Sequence, residues 1–185
     1  VDTFVHTVEL TFSDADWAEI IEIGTDACEY CDDPRPYFPA RMTVDGVGVE
    51  GDVGVRLKGH SSLMLAEGHS FPFKVDFNEF TPGQTFEGLK KVNLHQNRHE
   101  ASNIAEYAAY GAIRSHREDD KTPVPAPRTA FMRLTVNGED LGLYNLVEQV
   151  SGAYLDCHFP EPRGHLYKPE EPSEHLSLPV GHMID

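Results

Sequence analysis

The sequence predicts an α+β fold, a largely antiparallel sheet with helices packed on one face. Three observations carry that expectation. Residues 130–136 and 141–147 both alternate with the period of a strand, and Asn137-Gly138 between them supplies the two positive-φ positions of a type I′ hairpin turn. Residues 41–57 and 71–77 repeat the same period, so the strands are several and short. Two helix signatures interrupt them: Ser13 with Asp16 three positions on, and the alanine-rich stretch 100–116. A chain of 185 residues with 39% apolar content is long enough to bury one core.

In chain order, residues 5–12 set His6, Val8, Leu10 and Phe12 against Val5, Thr7, Glu9 and Thr11, which is a strand. Ser13 caps a helix that presents Trp17, Ile20 and Ile21 on one side, and Gly24 ends it. Residues 25–39, with Cys28, Cys31, Asp32-Asp33 and three prolines, read as an irregular surface excursion. The aspartate pair offers calcium-type oxygens or is a pair of solvated loop acids. From 41 to 57 the chain is a meander, turned at Asp45-Gly46 and broken at Glu50-Gly51-Asp52. Gly46, Gly48, Gly51 and Val53 also spell the kinase phosphate-loop pattern, which the two turns account for equally well. No helix follows, so this is no dinucleotide fingerprint.

Arg56 and Lys58 lead into Gly59-His60-Ser61-Ser62, whose backbone N–H groups, hydroxyls and nearby cations are donors that phosphate seeks. A plain polar turn has the same composition. Phe71, Phe73, Val75 and Phe77 alternate, leaving Lys74 with Pro72 and Asp76 on the opposite face. Residues 88–94 form a strand with Lys90 and Lys91, and Asn93, His95 and Asn97 follow. In the helix of 100–116, Glu106, Tyr110 and Ile113 share one side. Residues 114–121 read as a solvated charged loop and 122–127 as extended chain entering the hairpin, which exits at Glu148-Gln149. Residues 153–157 suit a short helix, 165–168 a short strand, and the proline- and acid-rich 169–179 irregular structure.

Five segments in order, RLKGHSS (56–62), FPFKVDF (71–77), GLKKVNL (88–94), VPAPRTAFMRLTVNGEDLGLYNLVEQV (124–150) and GHLYK (164–168), resemble the spore coat protein H (CotH) family of atypical protein kinases. The resemblance covers roughly residues 41–168. It implies a kinase small lobe plus hinge within a single, incomplete CotH-like domain spanning 1–185. In that domain 1–40 hold the N-terminal strand, helix and loop, 41–150 the small lobe, and 151–185 the start of a second lobe or a tail. It further implies ATP with Mg²⁺ or Mn²⁺ as cofactor and Ser or Thr of a protein substrate, such as a coat or surface protein, as acceptor. On that reading Arg56, Lys58, Gly59, Ser61 and Ser62 surround the phosphates. Lys74 reaches them with Glu106 as its helix partner, and Glu148 and Gln149 mark the hinge.

Two positions depart from the family pattern: His60 stands where asparagine is usual, and Ala105 where an arginine is common. The catalytic and metal-binding carboxylates are left unassigned. Only about seventeen residues follow Lys168, and their acids, Glu170, Glu171, Glu174 and Asp185, belong to no motif. The chain is therefore expected to hold ATP weakly and to transfer no phosphate alone. The alternative is a non-catalytic exported coat, adhesion or assembly module that retains the fold.

Charge narrows the partners. The formal net charge is −16, and residues 1–55 carry thirteen acids against Arg35 and Arg41, which argues against duplex nucleic acid. Arg56, Lys58, Lys74, Lys90, Lys91 and Arg98 gather in the middle of the chain, as an anion site or as scattered surface lysines. No apolar run approaches 18 residues, so no membrane span is expected, and Val1 opens a strand-like segment unlike a signal peptide. Nucleophile-elbow, HExxH and P-loop motifs are missing, which ranks hydrolase chemistry low. Cys28 and Cys31 with Cys157 are no zinc framework in themselves; Cys157-His158 could complete four ligands with the CxxC pair, and nothing local requires it. A disulfide among them suits an exported protein and three thiols the cytosol, and the sequence allows both.

Overall fold

The computed structural model describes residues 4–26, 35–59, 61–97, 102–118, 122–159, 166–168 and 182–184. Cys28, Cys31, Asp32-Asp33, His60, Arg98 and the stretch 169–179 lie outside them. The chain divides into two units, Val1–Glu148 and Gln149–Asp185. The first runs β1 (Val5–Thr11), α1 (Asp14–Thr25), β2 (Phe38–Val44), β3 (Val47–Gly48), β4 (Val53–Leu57), α2 (Ser61–Met64), β5 (Phe73–Asp76), β6 (Lys91–His95), α3 (Ala105–Ser115), β7 (Arg117–Glu118), β8 (Thr122–Pro123), β9 (Thr129–Val136) and β10 (Glu139–Glu148).

The expected hairpin forms. Asn137 and Gly138 take φ values of 48° and 82°, and β9 and β10 pair antiparallel with Val136 opposite Glu139. The Asn137 side chain also accepts a hydrogen bond from the Phe12 N–H at 2.8 Å, tying the turn to the chain just after β1. Tyr144 is buried and Leu143 exposed, as alternation requires. The N-terminal cap forms too: Ser13 Oγ accepts from the Asp16 N–H at 3.1 Å.

The architecture overturns the expected one. β1 pairs antiparallel with β2 and parallel with β9, and the ring continues through β10, β6, β5 and β4 back to β2. Seven strands therefore close into a mixed barrel, to which β3 adds a short hairpin on β2. It is not a kinase-like α+β sheet with helices packed on one face, and the four helices among the described residues are short. The physical reason is the N-terminal strand. Alternation shows that 5–12 is a strand and says nothing of how many partners it has, and taking two removes the sheet's edges.

Inside the barrel, Val8, Leu10, Val55, Leu57, Phe73, Val75, Val92, Leu94, Met132, Leu134 and Tyr144 are all buried. The Tyr144 hydroxyl donates to the Phe71 carbonyl at 3.0 Å, so this buried phenol has its partner.

Local expectations were corrected at four places. Gly24 does not end α1 but lies within it, buried, and a Cβ there would stand 2.5 Å from Phe71 Cζ. Close approach to an aromatic ring, rather than helix termination, demands the glycine. Gly24→Ala is expected to lower stability by about 1–3 kcal/mol through overpacking, with recovery when Phe71→Leu makes room. Urea unfolding of the three variants measures this, and a loss below about 0.5 kcal/mol would mean the ring moves aside freely. β2 begins at Phe38, inside the stretch read as irregular. The helix expected over 100–116 is α3, Ala105–Ser115, and is shorter. Arg114, assigned to a solvated loop, closes that helix and donates to Pro127 O and, at 3.3 Å, to Thr129 Oγ1, while β7 and β8 make a small ribbon.

The second unit contains α4 (Gly152–His158) and an antiparallel ribbon of β11 (Leu166–Lys168) and β12 (His182–Ile184). Cys157 in α4 is an exposed free thiol. No helix among the described residues is long and apolar enough to cross a membrane.

Candidate functional site

The alternation that fills the barrel with Val55, Leu57, Phe73, Val75, Val92 and Leu94 turns their neighbours outward. Arg56 pairs across the sheet with Lys74, and Lys74 with Asn93. Arg56, Lys74 and Asn93 thus form a row over three strands, at the roughly 5 Å spacing of directly opposed residues. One pair further along, His95 on β6 faces Asn145 on β10. The sequence expectation that Lys74 lies opposite its strand's aromatics corresponds to this face.

Lys58, just beyond β4, brings its ammonium to 2.6 Å from His95 Nε2. His95 Nδ1 lies 2.9 and 2.8 Å from the two Glu106 carboxylate oxygens. An ammonium can only donate, so Nε2 accepts, and Nδ1 must carry the hydrogen that goes to Glu106. The result is a chain of cation, imidazole and carboxylate joining the end of β4, β6 and α3. Tyr107 of α3 also stacks on Phe131 of β9 with centroids 4.6 Å apart, so the helix is held to the sheet at two points.

Glu106 is half-buried, and burial works against its charge. The His95 hydrogen bond, with the Lys58 charge behind it, outweighs this and holds its pKa below the ordinary value of 4.5. Asn145 adds a favourable contribution although neither of its side-chain polar atoms reaches hydrogen-bond geometry. A depressed folded-state pKa contributes stability that is present above the unfolded value and lost as pH falls through the folded one. Glu106→Gln is therefore expected to make the acid limb of the stability curve, below about pH 4.5, shallower than in the wild type. Urea midpoints between pH 3 and 6 test this. Asp45 and Asp140, depressed by His6 and Arg133, shift in the same direction and remain in the variant.

Around this chain the face is cationic and incompletely satisfied. The Arg56 guanidinium lies over the Tyr37 ring at 4.9 Å, and its Nε is buried without a hydrogen-bond partner. Asn93 Oδ1 and Gln96 Oε1 are likewise unpartnered. Lys91 binds the buried Asp76 at 2.6 Å, which raises the lysine's pKa although burial opposes its charge. At the adjoining loop, Arg35 donates to the Gly59 carbonyl at 2.8 Å, and the Gln96 amide donates to the Ser62 carbonyl at 2.8 Å where Ser61 opens α2. Among the described residues no three His, Cys, Asp or Glu side chains gather as a metal-holding group.

Arg56 and Lys74 are thus paired on this face, Lys58 reaches Glu106 through His95, Gly59 follows β4, and Ser61 and Ser62 open α2. Glu106 takes His95 as its hydrogen-bond partner, with Lys58 as the cation behind it. Glu148 is placed elsewhere. Buried at the end of β10 opposite Val92, its carboxylate accepts from the Arg128 guanidinium at 3.1 and 3.2 Å and from the Arg128 N–H at 3.1 Å. Gln149 opens the second unit, and its amide donates to the Val150 carbonyl at 2.7 Å. His95 is the residue to which the sequence reading gave no role. The signal was there, since it has the parity of Lys91 and Asn93 along β6, opposite to the buried Val92 and Leu94. A cavity of about 300 Å³ lined by Gly24, Leu63, Met64, His69 and Phe71, among others, involves none of these residues.

A family model described as CotH kinase protein matches residues 55–180. No curated protein matches the chain.

Proposed function

Since the chain belongs to the CotH kinase protein family, we propose that its cationic barrel face holds ATP, with Mg²⁺ or Mn²⁺, as the nucleotide-binding part of a kinase acting on Ser or Thr of a protein. The observation that carries the reading is the row of Arg56 and Lys74 beside Lys58, with a buried Arg56 Nε that lacks an acceptor. A triphosphate is rich in acceptors and matches donors of this kind. Arg56 would offer a planar fork, Lys58 and Lys74 point charges, Gly59 its amide, and Ser61 and Ser62 their hydroxyls.

Such contacts act on the bound ground state nearly as well as on the transition state, so they give affinity and little rate. The metal, when bound, would neutralise charge spread over the phosphates. Asn93 Oδ1 is an oxygen on this face without a partner, while the Asp76 and Glu106 carboxylates are already bonded to Lys91 and His95. That engagement of both acids favours a second reading, a non-catalytic coat, adhesion or assembly module.

Calorimetric titration with ATP and MgCl₂ tests the first. Binding in the millimolar range or tighter is expected, weakened about tenfold by Lys74→Met and by Lys58→Met, the worth of one charge-assisted contact. Heats that stay flat up to about 10 mM ATP would end the nucleotide reading. Radiolabelled ATP with a serine-rich protein then separates the two. Labelling that Lys74→Met abolishes would exclude the non-catalytic module.

A further inference from the structure

The chain Lys58–His95–Glu106 does more than place charges, because its middle member is an imidazole, which carries hydrogen on one ring nitrogen when neutral and on both when charged. With Lys58 at 2.6 Å from Nε2 and Glu106 at 2.8 Å from Nδ1, the present geometry requires a neutral ring that accepts from the ammonium. When the ring takes a proton, Nε2 becomes a donor facing another donor, and two positive charges meet at hydrogen-bond distance. The Glu106 contact survives that change and strengthens. The Lys58 contact does not.

We propose that His95 is a positioning residue that stores the Lys58 ammonium on Nε2 while neutral and releases it when protonated, so that this face captures anions more tightly as pH falls. The inference rests on the reading of the face as an anion site, and deepens it by making the site acid-responsive. The groups facing His95 are consistent with it. Lys58 comes from the end of β4, Glu106 from α3 with Tyr110 one turn on, and the uncharged Asn145 from β10. Further along the same face, Lys74 on β5 and Arg56 on β4 are cations that need no proton from this range and keep their charge throughout. Glu106, with its carboxyl held low, stays ionised across it. Imidazoles as a class change charge between about pH 5 and 8, which amines and carboxylates as classes do not.

Two measurements on the full chain test this. The first is the ¹⁵N spectrum of the imidazole at pH 8, where hydrogen on Nδ1 is expected, with that signature lost in Lys58→Met. Hydrogen on Nε2 instead would overturn the proposal whatever the site binds. The second is the affinity for inorganic sulfate, a dianion whose own charge is constant from pH 5 to 8, followed by amide shifts. Wild type should tighten about tenfold on acidification, the worth of freeing one charge-assisted donor. His95→Gln, which can accept from Lys58 and donate to Glu106 but cannot titrate, should bind sulfate with a flat profile. Equal pH slopes in the two proteins would overturn the proposal. Absence of sulfate binding at every pH would overturn both it and the anion-site reading, and a normal Nδ1–H signature beside that absence would place the failure in the site rather than in the tautomer.

Discussion

Phe73→Ala should remove about 3–5 kcal/mol of stability, the usual cost of truncating a fully buried aromatic. Phe73 is wholly buried, faces Leu57 on one neighbouring strand and Leu94 on the other, and meets Phe71 edge-on with centroids 6.4 Å apart. It stands where three barrel strands and the segment leading out of α2 converge, so the lost volume cannot be filled by one side chain moving in. Against the 5–15 kcal/mol typical of a whole domain, such a loss leaves a marginal fold. Urea unfolding gives the value, and Phe73→Leu, which keeps most of the volume, should lose clearly less. A loss under about 1 kcal/mol for the alanine variant would show that the ring is not enclosed by a closed sheet.

Arg128→Ala should cost about 3 kcal/mol, because it takes the guanidinium away from the Glu148 carboxylate, whose side chain is only 5% exposed. The figure sits at the low end for a broken buried pair, since Arg128 itself is 52% exposed and its N–H still bonds Glu148 after the side chain is gone. Adding Glu148→Gln should return part of the loss, as a neutral amide tolerates the site better than a buried carboxylate that has lost its guanidinium. A double-mutant cycle by chemical denaturation supplies the test. If the second substitution makes matters worse, the cost lies in lost packing of the arginine stem and not in the carboxylate. Glu148 stands at the strand exit that the hinge analogy implies, and there its carboxylate pairs with Arg128.

Local chemistry was legible in the sequence, and long-range pairing was not. Asn137-Gly138 and the Ser13 cap are short-range devices whose physics is complete within a few residues, and both formed as read. The parity of residues along β5 and β6 was likewise visible, and it put Lys74 on a shared face. Closure depends on β1 lying parallel to β9, and no local pattern in either strand encodes its second neighbour. That is why a barrel was read as a sheet with covering helices. Gly24 shows the same limit at smaller scale: a glycine near a helix end suggests a stop, and only the position of Phe71 reveals it as a clearance. In the candidate site, the cations were found by type and strand parity. The link through His95 needed the distance from α3 to the sheet, which no spacing supplies.

Closure through β1 has a consequence for the order in which the molecule can be made. β1 and β2 are near neighbours in the chain and can pair as soon as both leave the ribosome, but the other flank of β1 waits for β9. The hydrogen bond from Phe12 to Asn137 spans 125 residues. At roughly 5–20 residues per second, that interval lasts about 6–25 s of synthesis. Throughout it the nascent chain carries an open strand edge of the kind that recruits other chains. Pairings so distant are also the slow ones in refolding. The barrel therefore gains an edgeless native state at the cost of a prolonged exposed one, during which holding chaperones or slow dilution should decide the yield.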